Sequence, residues 1–140
     1  MFHKSLILTA LLSSLLWSES HIDKDDLNGN WHLRVMDGME VRKARAILDF
    51  DMDKMILSGF DACNRISGAL QKNSDNNMTT PMLISTKMAC RNNIHNWVSK
   101  RLHITLKEGF SIVEAKKYGI DGITIKSPSH ELFFKRMDRD

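Results

Sequence analysis

Apolar residues are distributed along this chain in three ways. Leu6 to Trp17 is a nearly unbroken apolar run, softened by Thr9, Ser13 and Ser14. From Leu27 onward apolar and polar positions alternate in short segments, the period of a half-buried strand. Between Asn92 and Gly109 the period changes to that of a helix. Trp31, Leu33 and Val35 alternate strictly and predict a strand over Leu27–Met36, ended by the turn pair Asp37-Gly38. Ile47, Leu48 and Phe50 predict a second strand over Ala44–Phe50. Asp51 to Lys54 then reads as a hairpin turn, with Met55–Phe60 as its return strand. Ile66, Gly68 and Leu70 place another strand at Asn64–Leu70. Gln71–Thr80 has no apolar period and is rich in Asn, Ser and Asp, so an exposed loop is expected. Pro81–Met88 is short and apolar without a clear period.

Asn92 or Asn93 can cap a helix over Asn93–Lys107. Ile94, Trp97, Val98, Leu102 and Thr105 recur there at i, i+3 and i+4, with the stem of Arg101 covering the stripe's edge. Gly109 ends it, as C-terminal glycines do. Phe110–Ala115 alternates as a strand. Gly119–Gly122 reads as a turn or bulge. Ile123 and Ile125 pair with Leu132, Phe133 and Phe134 in a last hairpin across Ser127–His130. Strands, one helix of about four turns, then more strands predict an α+β fold. Its sheet should be mostly antiparallel, curled or barrel-like, with one main α-helix.

The opening run changes the picture of where the protein works. Lys4 gives a short basic start, and Ser18-Glu19-Ser20 places small residues two apart, as a signal peptidase requires. Residues 1–20 are therefore expected to be a cleaved signal peptide. The apolar run falls short of the roughly 20 residues that span a bilayer, and no cysteine near the cleavage site offers a lipid anchor. Residues 21–26 are expected to be a flexible lead and residues 27–137 one domain. The expected location is periplasmic or secreted. The chain has 20 Lys and Arg against 17 Asp and Glu; losing Lys4 and Glu19 with the signal leaves the net charge at +3. The signs are interspersed, which argues against a nucleic-acid face. Arg42-Lys43-Ala44-Arg45 is the densest basic patch; it has the charge to meet anionic lipid or sugar, though charge runs are usually solvated faces.

Cys63 and Cys90 are an even count in an exported small domain and are most simply read as one disulfide. Such a bridge closes 28 residues, worth about 3.5 kcal/mol by loop-closure entropy. A reactive or metal-binding pair is the alternative, but structural zinc needs four ligands and redox pairs are more typically Cys-x-x-Cys. His95 and His103 share the helix eight positions apart, about 80° in rotation, which is poor metal spacing. Asp49, Asp51 and Asp53 lack the glycine and distal glutamate of an EF-hand. The methionines suit core filling, or an adaptable binding surface. No catalytic motif stands out, and no metal or cofactor is expected. Asn77-Met78-Thr79, with Asp75 two positions earlier, is a glycosylation acceptor at Asn77 in a stretch read as loop.

Several segments together resemble the META domain family, also called HslJ-like. Leu27-Asn28-Gly29-Asn30-Trp31 is similar to its opening strand with Gly-x-Trp. Gly59 to Gly68 is similar to its Gly-x-x-Gly-Cys-Asn segment, Ser85 to Cys90 to its Thr-x-Met-Ala-Cys segment, and Tyr118 to Arg136 to its closing hairpin. Ala62 stands where a glycine usually precedes the cysteine, and Ile66 where an aromatic is common. Asn93, His95 and Asn96 occupy a region that is often acidic. The resemblance implies pairing of Cys63 with Cys90. It also implies a general link to envelope stress and to secretion or motility, without an established enzymatic activity. The resulting expectation is a non-enzymatic exported protein that binds an envelope protein or cell-surface component in envelope maintenance or stress tolerance. An inhibitor of an extracellular enzyme, or a small hydrolase or metal-dependent enzyme with a dispersed site, are the alternatives. N-terminal sequencing of the protein recovered from the envelope fraction is expected to begin at His21; a retained Met1 on a cytoplasmic protein would overturn the export reading.

Overall fold

The structure, a computed structural model, describes residues 22–137. The expected signal peptide lies outside the described residues. A short helix α1 (Lys24–Leu27) replaces the flexible lead, and it buries Leu27. Strand β1 (Gly29–Met36) follows, then the two-residue β2 (Met39–Glu40) and a single 3-10 turn at Arg42–Ala44. Next come β3 (Ile47–Asp51), β4 (Ile56–Phe60) and β5 (Arg65–Ala69). A separate hairpin is formed by β6 (Gln71–Ser74) and β7 (Asn77–Thr79), and β8 (Ile84–Ser85) is a short edge strand. Helix α2 (Asn93–Glu108) precedes β9 (Ser111–Lys117), β10 (Ile120–Lys126) and β11 (Glu131–Arg136).

The main sheet has the strand order β8-β5-β4-β3-β1-β11-β10-β9, with β2 on β1, and every pairing in it is antiparallel. The fold is α+β with one main helix, as the alternation predicted. The sheet curls but is not closed. Among the described residues its two ends are linked through the β6–β7 hairpin, which leaves β5 directly and makes a single bridge from Met78 to Phe110, just before β9. The expected loop at Gln71–Thr80 is thus a hairpin. β6 is exposed along its length, so it carries no alternating pattern, and its order comes from pairing to β7 instead.

One face of the sheet packs on α2. Leu33, Leu48, Leu57, Ile123, Ile125 and Phe134 lie in one buried cluster with Val98, Leu102 and Leu106 of the helix. Leu106 extends this stripe one position beyond Thr105, inside the helix expected over Asn93–Lys107. The last helical carbonyls, which have no partners within a helix, are taken up by the hairpin. The Thr80 backbone N–H and hydroxyl both donate to the Leu106 carbonyl, and the Thr79 hydroxyl reaches those of Leu106 and Lys107.

Two glycines are forced by close approach. A Cβ on Gly59, at φ +152°, would lie 2.0 Å from the Ile47 carbonyl oxygen. At Gly122 it would lie 2.1 Å from the Phe134 carbonyl oxygen and 3.0 Å from a ring carbon of Phe133. Trp97 is only half-buried, with the Arg101 guanidinium stacked 4.1 Å from the ring centroid. Leu102 is fully enclosed. Leu102→Ala is therefore expected to cost about 2–5 kcal/mol, and Trp97→Ala clearly less, measured by urea unfolding.

Candidate functional site

Two places merit a functional reading: the loop that carries Cys63, and a groove on the sheet face turned away from α2.

The loop between β4 and β5 is organised by Asp61. This aspartate is fully buried. Its Oδ1 accepts the backbone N–H groups of Cys63 (2.8 Å) and Asn64 (2.6 Å), and its own N–H donates to the Asn64 carbonyl. An Asp-x-x-Asn turn can close on itself in this way because the aspartate side chain mimics a backbone acceptor. Oδ2 meets His103 Nε2 of α2 at 2.6 Å, and Ser99, one turn earlier, also hydrogen-bonds the carboxylate. Burial pushes the Asp61 pKa up, but the bonds from His103, Asn64, Cys63 and Ser99 outweigh it and hold the carboxylate below its ordinary range. Next to it Ala62 adopts φ +92°, a left-handed conformation that favours glycine.

Cys63 and Cys90 form the disulfide, with Cα atoms 4.6 Å apart. Asn64 binds the same partner segment: its side-chain oxygen accepts the Thr86 hydroxyl at 3.0 Å and the Met88 backbone N–H. The Cys63 region is thus tied to the segment before α2 covalently and to α2 itself by the Asp61–His103 hydrogen bond. Chemically it is a knot. The acceptor positions of Asp61 are occupied by donors that hold the loop, and the hydroxyl of Ser99 is turned to the aspartate.

Asn77 stands at the start of β7, half-buried. Its side-chain oxygen accepts the Asn73 amide, and Thr79, the hydroxyl residue of the acceptor motif, is turned to the end of α2. The folded hairpin thus engages both ends of the motif. His95 pairs with Asn92 at 2.6 Å, and His130 with Asp37 at 2.7 Å. Asp49 and Asp51 lie on β3, and Asp51 caps the Lys54 N–H. No group of three or more His, Cys, Asp or Glu is arranged to hold a metal among the described residues.

The groove arises from register. Across β10 and β11, Thr124 opposes Phe133 while Ile123 opposes Phe134, so Phe133 points away from the core. It is nevertheless 2% exposed. Gly122 leaves room for its ring, and Tyr118 meets it edge-on at 6.4 Å. On the other side β1 slips register between Leu33 and Val35, which puts Arg34 in an irregular position beside Val35, the cross-strand partner of Phe133. The resulting cavity, about 320 Å³, is lined by Val35, Phe133, Ile120, Tyr118, Arg34 and Arg42, with Glu40 at its rim. A polar cleft of about 400 Å³ adjoins it at Tyr118, containing the Lys117–Glu131 ion pair. Tyr118 is 71% exposed. A larger hollow of about 630 Å³ lies beside α1, where Arg136 stacks 4.2 Å over Trp31. Its wall includes Ile22, Asp26 and Glu114.

A profile of the META domain matches residues 25–136. The chain belongs to the META domain family. A search of curated proteins gives no match. Among solved structures, one determined by NMR aligns with a TM-score of 0.62 and 25% identity over 79% of this chain and 90% of its own. Another NMR structure, of a protein from Burkholderia xenovorans, aligns with a TM-score of 0.64 over 94% of this chain and all of its own. At 18% identity the latter speaks for the shared fold alone. In this META domain the family's cysteine segment keeps its turn despite Ala62, because Asp61 supplies the acceptors that shape it. The groove, by contrast, is not legible in the sequence, where Leu132, Phe133 and Phe134 read alike as one strand of a hairpin.

The Asp61 knot is pH-sensitive with a defined sign. The folded state holds the Asp61 proton less tightly than the unfolded chain, where aspartate titrates near about 3.9. Its stabilisation is whole above about pH 5 and is lost as pH falls through the depressed folded pKa. Asp61→Ala strands two backbone N–H groups and His103, and is expected to cost about 3 kcal/mol at pH 7. Denaturant midpoints from pH 2 to 7 should converge between mutant and wild type at the acid end; a constant gap would show that the carboxylate's charge has no part in it.

Proposed function

We propose that this META-domain protein is exported and works by binding a partner in the cell envelope, in a maintenance or stress-tolerance role. The observation that carries this reading is the groove beside Phe133. It combines an apolar floor with a largely exposed tyrosine and charged rims, the composition of a recognition site rather than of a solvated sheet face. The Cys63–Cys90 bridge supports the export half, because such bridges persist in oxidising compartments. Antiparallel strands on both sides of the groove give it a stiff base, which lowers the ordering cost of binding.

The Asp61–His103 pair is the feature that would favour an enzyme. It does not carry that reading, since its carboxylate is committed to backbone donors in the loop.

The test is site-specific photo-cross-linking in cells that make the protein. A photoreactive side chain placed at Tyr118 is expected to give discrete envelope-protein adducts. The same group at Lys100, on the exposed flank of α2, is expected to give none. Identical adduct patterns at both positions, or no adduct at Tyr118, would defeat the proposal.

A further inference from the structure

The groove carries a charge imbalance that its floor does not explain. Arg34 and Arg42 line it, Arg45 lies one residue beyond the 3-10 turn, and Lys135 stands opposite His32 on the neighbouring strand. Against them stands Glu40, whose carboxylate accepts the Arg42 backbone N–H. Among the described residues none of the three arginines forms an ion pair with a carboxylate. The Arg34 side-chain Nε is buried and has no hydrogen-bond partner. A buried donor without an acceptor is unfavourable, and a guanidinium is the group best shaped for carboxylate or phosphate oxygens. The field of this cluster is felt locally: burial, and then the positive charges of Arg34, Arg42 and Arg45 against Glu40, lower the His32 pKa.

Arg34 therefore lines the cavity with a guanidinium that keeps one buried donor unpaired, and the other wall is Val35, Ile120, Phe133 and Tyr118. Charge and apolar surface meet within about 320 Å³, near the small end of the roughly 300–1,000 Å³ typical of small-molecule sites. We propose that this groove binds a small amphiphilic anion as a monomer, its carboxylate or phosphate head on Arg34 and Arg42 and its apolar body along Val35, Phe133 and Ile120. The inference rests on the reading of the groove as a recognition site, and it names the chemistry recognised there. A free anion would use the arginines but leave the floor empty; a neutral apolar molecule would leave the arginines unpaired.

The test is NMR titration of the mature chain with decanoate, decyl phosphate, inorganic phosphate and decanol, each kept monomeric. Decanoate or decyl phosphate is expected to give saturable shifts at Arg34 Nε–H, Val35 and Tyr118; whichever binds more tightly identifies the head group. Inorganic phosphate and decanol should each bind at least about tenfold more weakly. The bound anion should raise the His32 pKa, because it offsets the arginine field that lowers it. Arg42→Gln changes an exposed side chain, so folding should survive. It should weaken binding about tenfold, and Arg34→Gln likewise. Equal binding of decanol, shifts unaffected by Arg42→Gln, or binding seen only on vesicles of anionic lipid would each overturn the proposal. Protein adducts at Tyr118 without amphiphile binding would sink this inference and leave the partner reading standing. Amphiphile binding without adducts would do the reverse.

Discussion

The carboxylate of Asp61 is the constraint on which the cysteine-bearing half of the molecule depends. It is a charge with no access to solvent, and a buried charge is tolerated only when its acceptor positions are filled. Here they are filled from two directions. Two backbone N–H groups come from its own turn, and His103 comes from a helix 42 positions away in sequence. The first pair sets the path of the chain through Cys63 and Asn64. The second fixes α2 against that turn. Once both are in place, Cys63 lies within bridging distance of Cys90, and Asn64 faces Thr86 and Met88. The turn thereby registers the sheet against the helix, and the helix covers the open side of the curl.

The opposite face of the sheet follows a different logic. An antiparallel sheet with one face on a helix is expected to present polar side chains on the other. Over most of this sheet it does, with Ser58, Ser67 and Asp49 side by side in register. The exception lies over β1, β10 and β11. There a register slip in β1 and the missing side chain of Gly122 let Phe133 sink into the outer surface. Thr124, its neighbour across the strands, has a buried hydroxyl without a partner. Two unsatisfied polar atoms, Thr124 Oγ1 and Arg34 Nε, thus fall within one small region of the outer face, and they are the only buried side-chain polar atoms in that condition among the described residues. A patch that serves stability alone would be expected to satisfy them.

The sequence made most of the fold legible, for physical reasons that vary by element. Strands facing the helix alternate cleanly, because only one side of each is buried; Trp31, Leu33 and Leu48 are examples. Helix α2 ran one residue past its expected end, because the carbonyls of its last turn find donors in Thr79 and Thr80, which no local pattern reveals. The β6–β7 hairpin was invisible because its pairing is made by backbone groups, and exposed polar side chains such as Gln71 and Lys72 do not betray it. The disulfide could be read from the cysteine count and the export expected of residues 1–20. The Asp61–His103 contact could not, since His103 differs from the other histidines only by what the fold brings to it. Arg42-Lys43-Ala44-Arg45 was visible as a basic run, but its partner Arg34 lies eight positions before Arg42 and is joined to it by the β1–β2 pairing.

The tolerance of Ala62 shows how these layers combine. A non-glycine residue at φ +92° costs about 1–3 kcal/mol in backbone strain. Glycine there would remove the strain. It would also free the unfolded chain by about 0.4–1 kcal/mol and forfeit a buried methyl worth about 0.8 kcal/mol. The opposing effects are of similar size, so the family's glycine is not indispensable at this position. What has to be preserved is the acceptor that bends the chain. Asp61 bends it with a side chain instead of relying on a permissive backbone, and the bridge from Cys63 to Cys90 then holds the bent form. The turn can thus survive the loss of the residue that makes it easiest, while the loss of Asp61 would remove the reason for the turn itself.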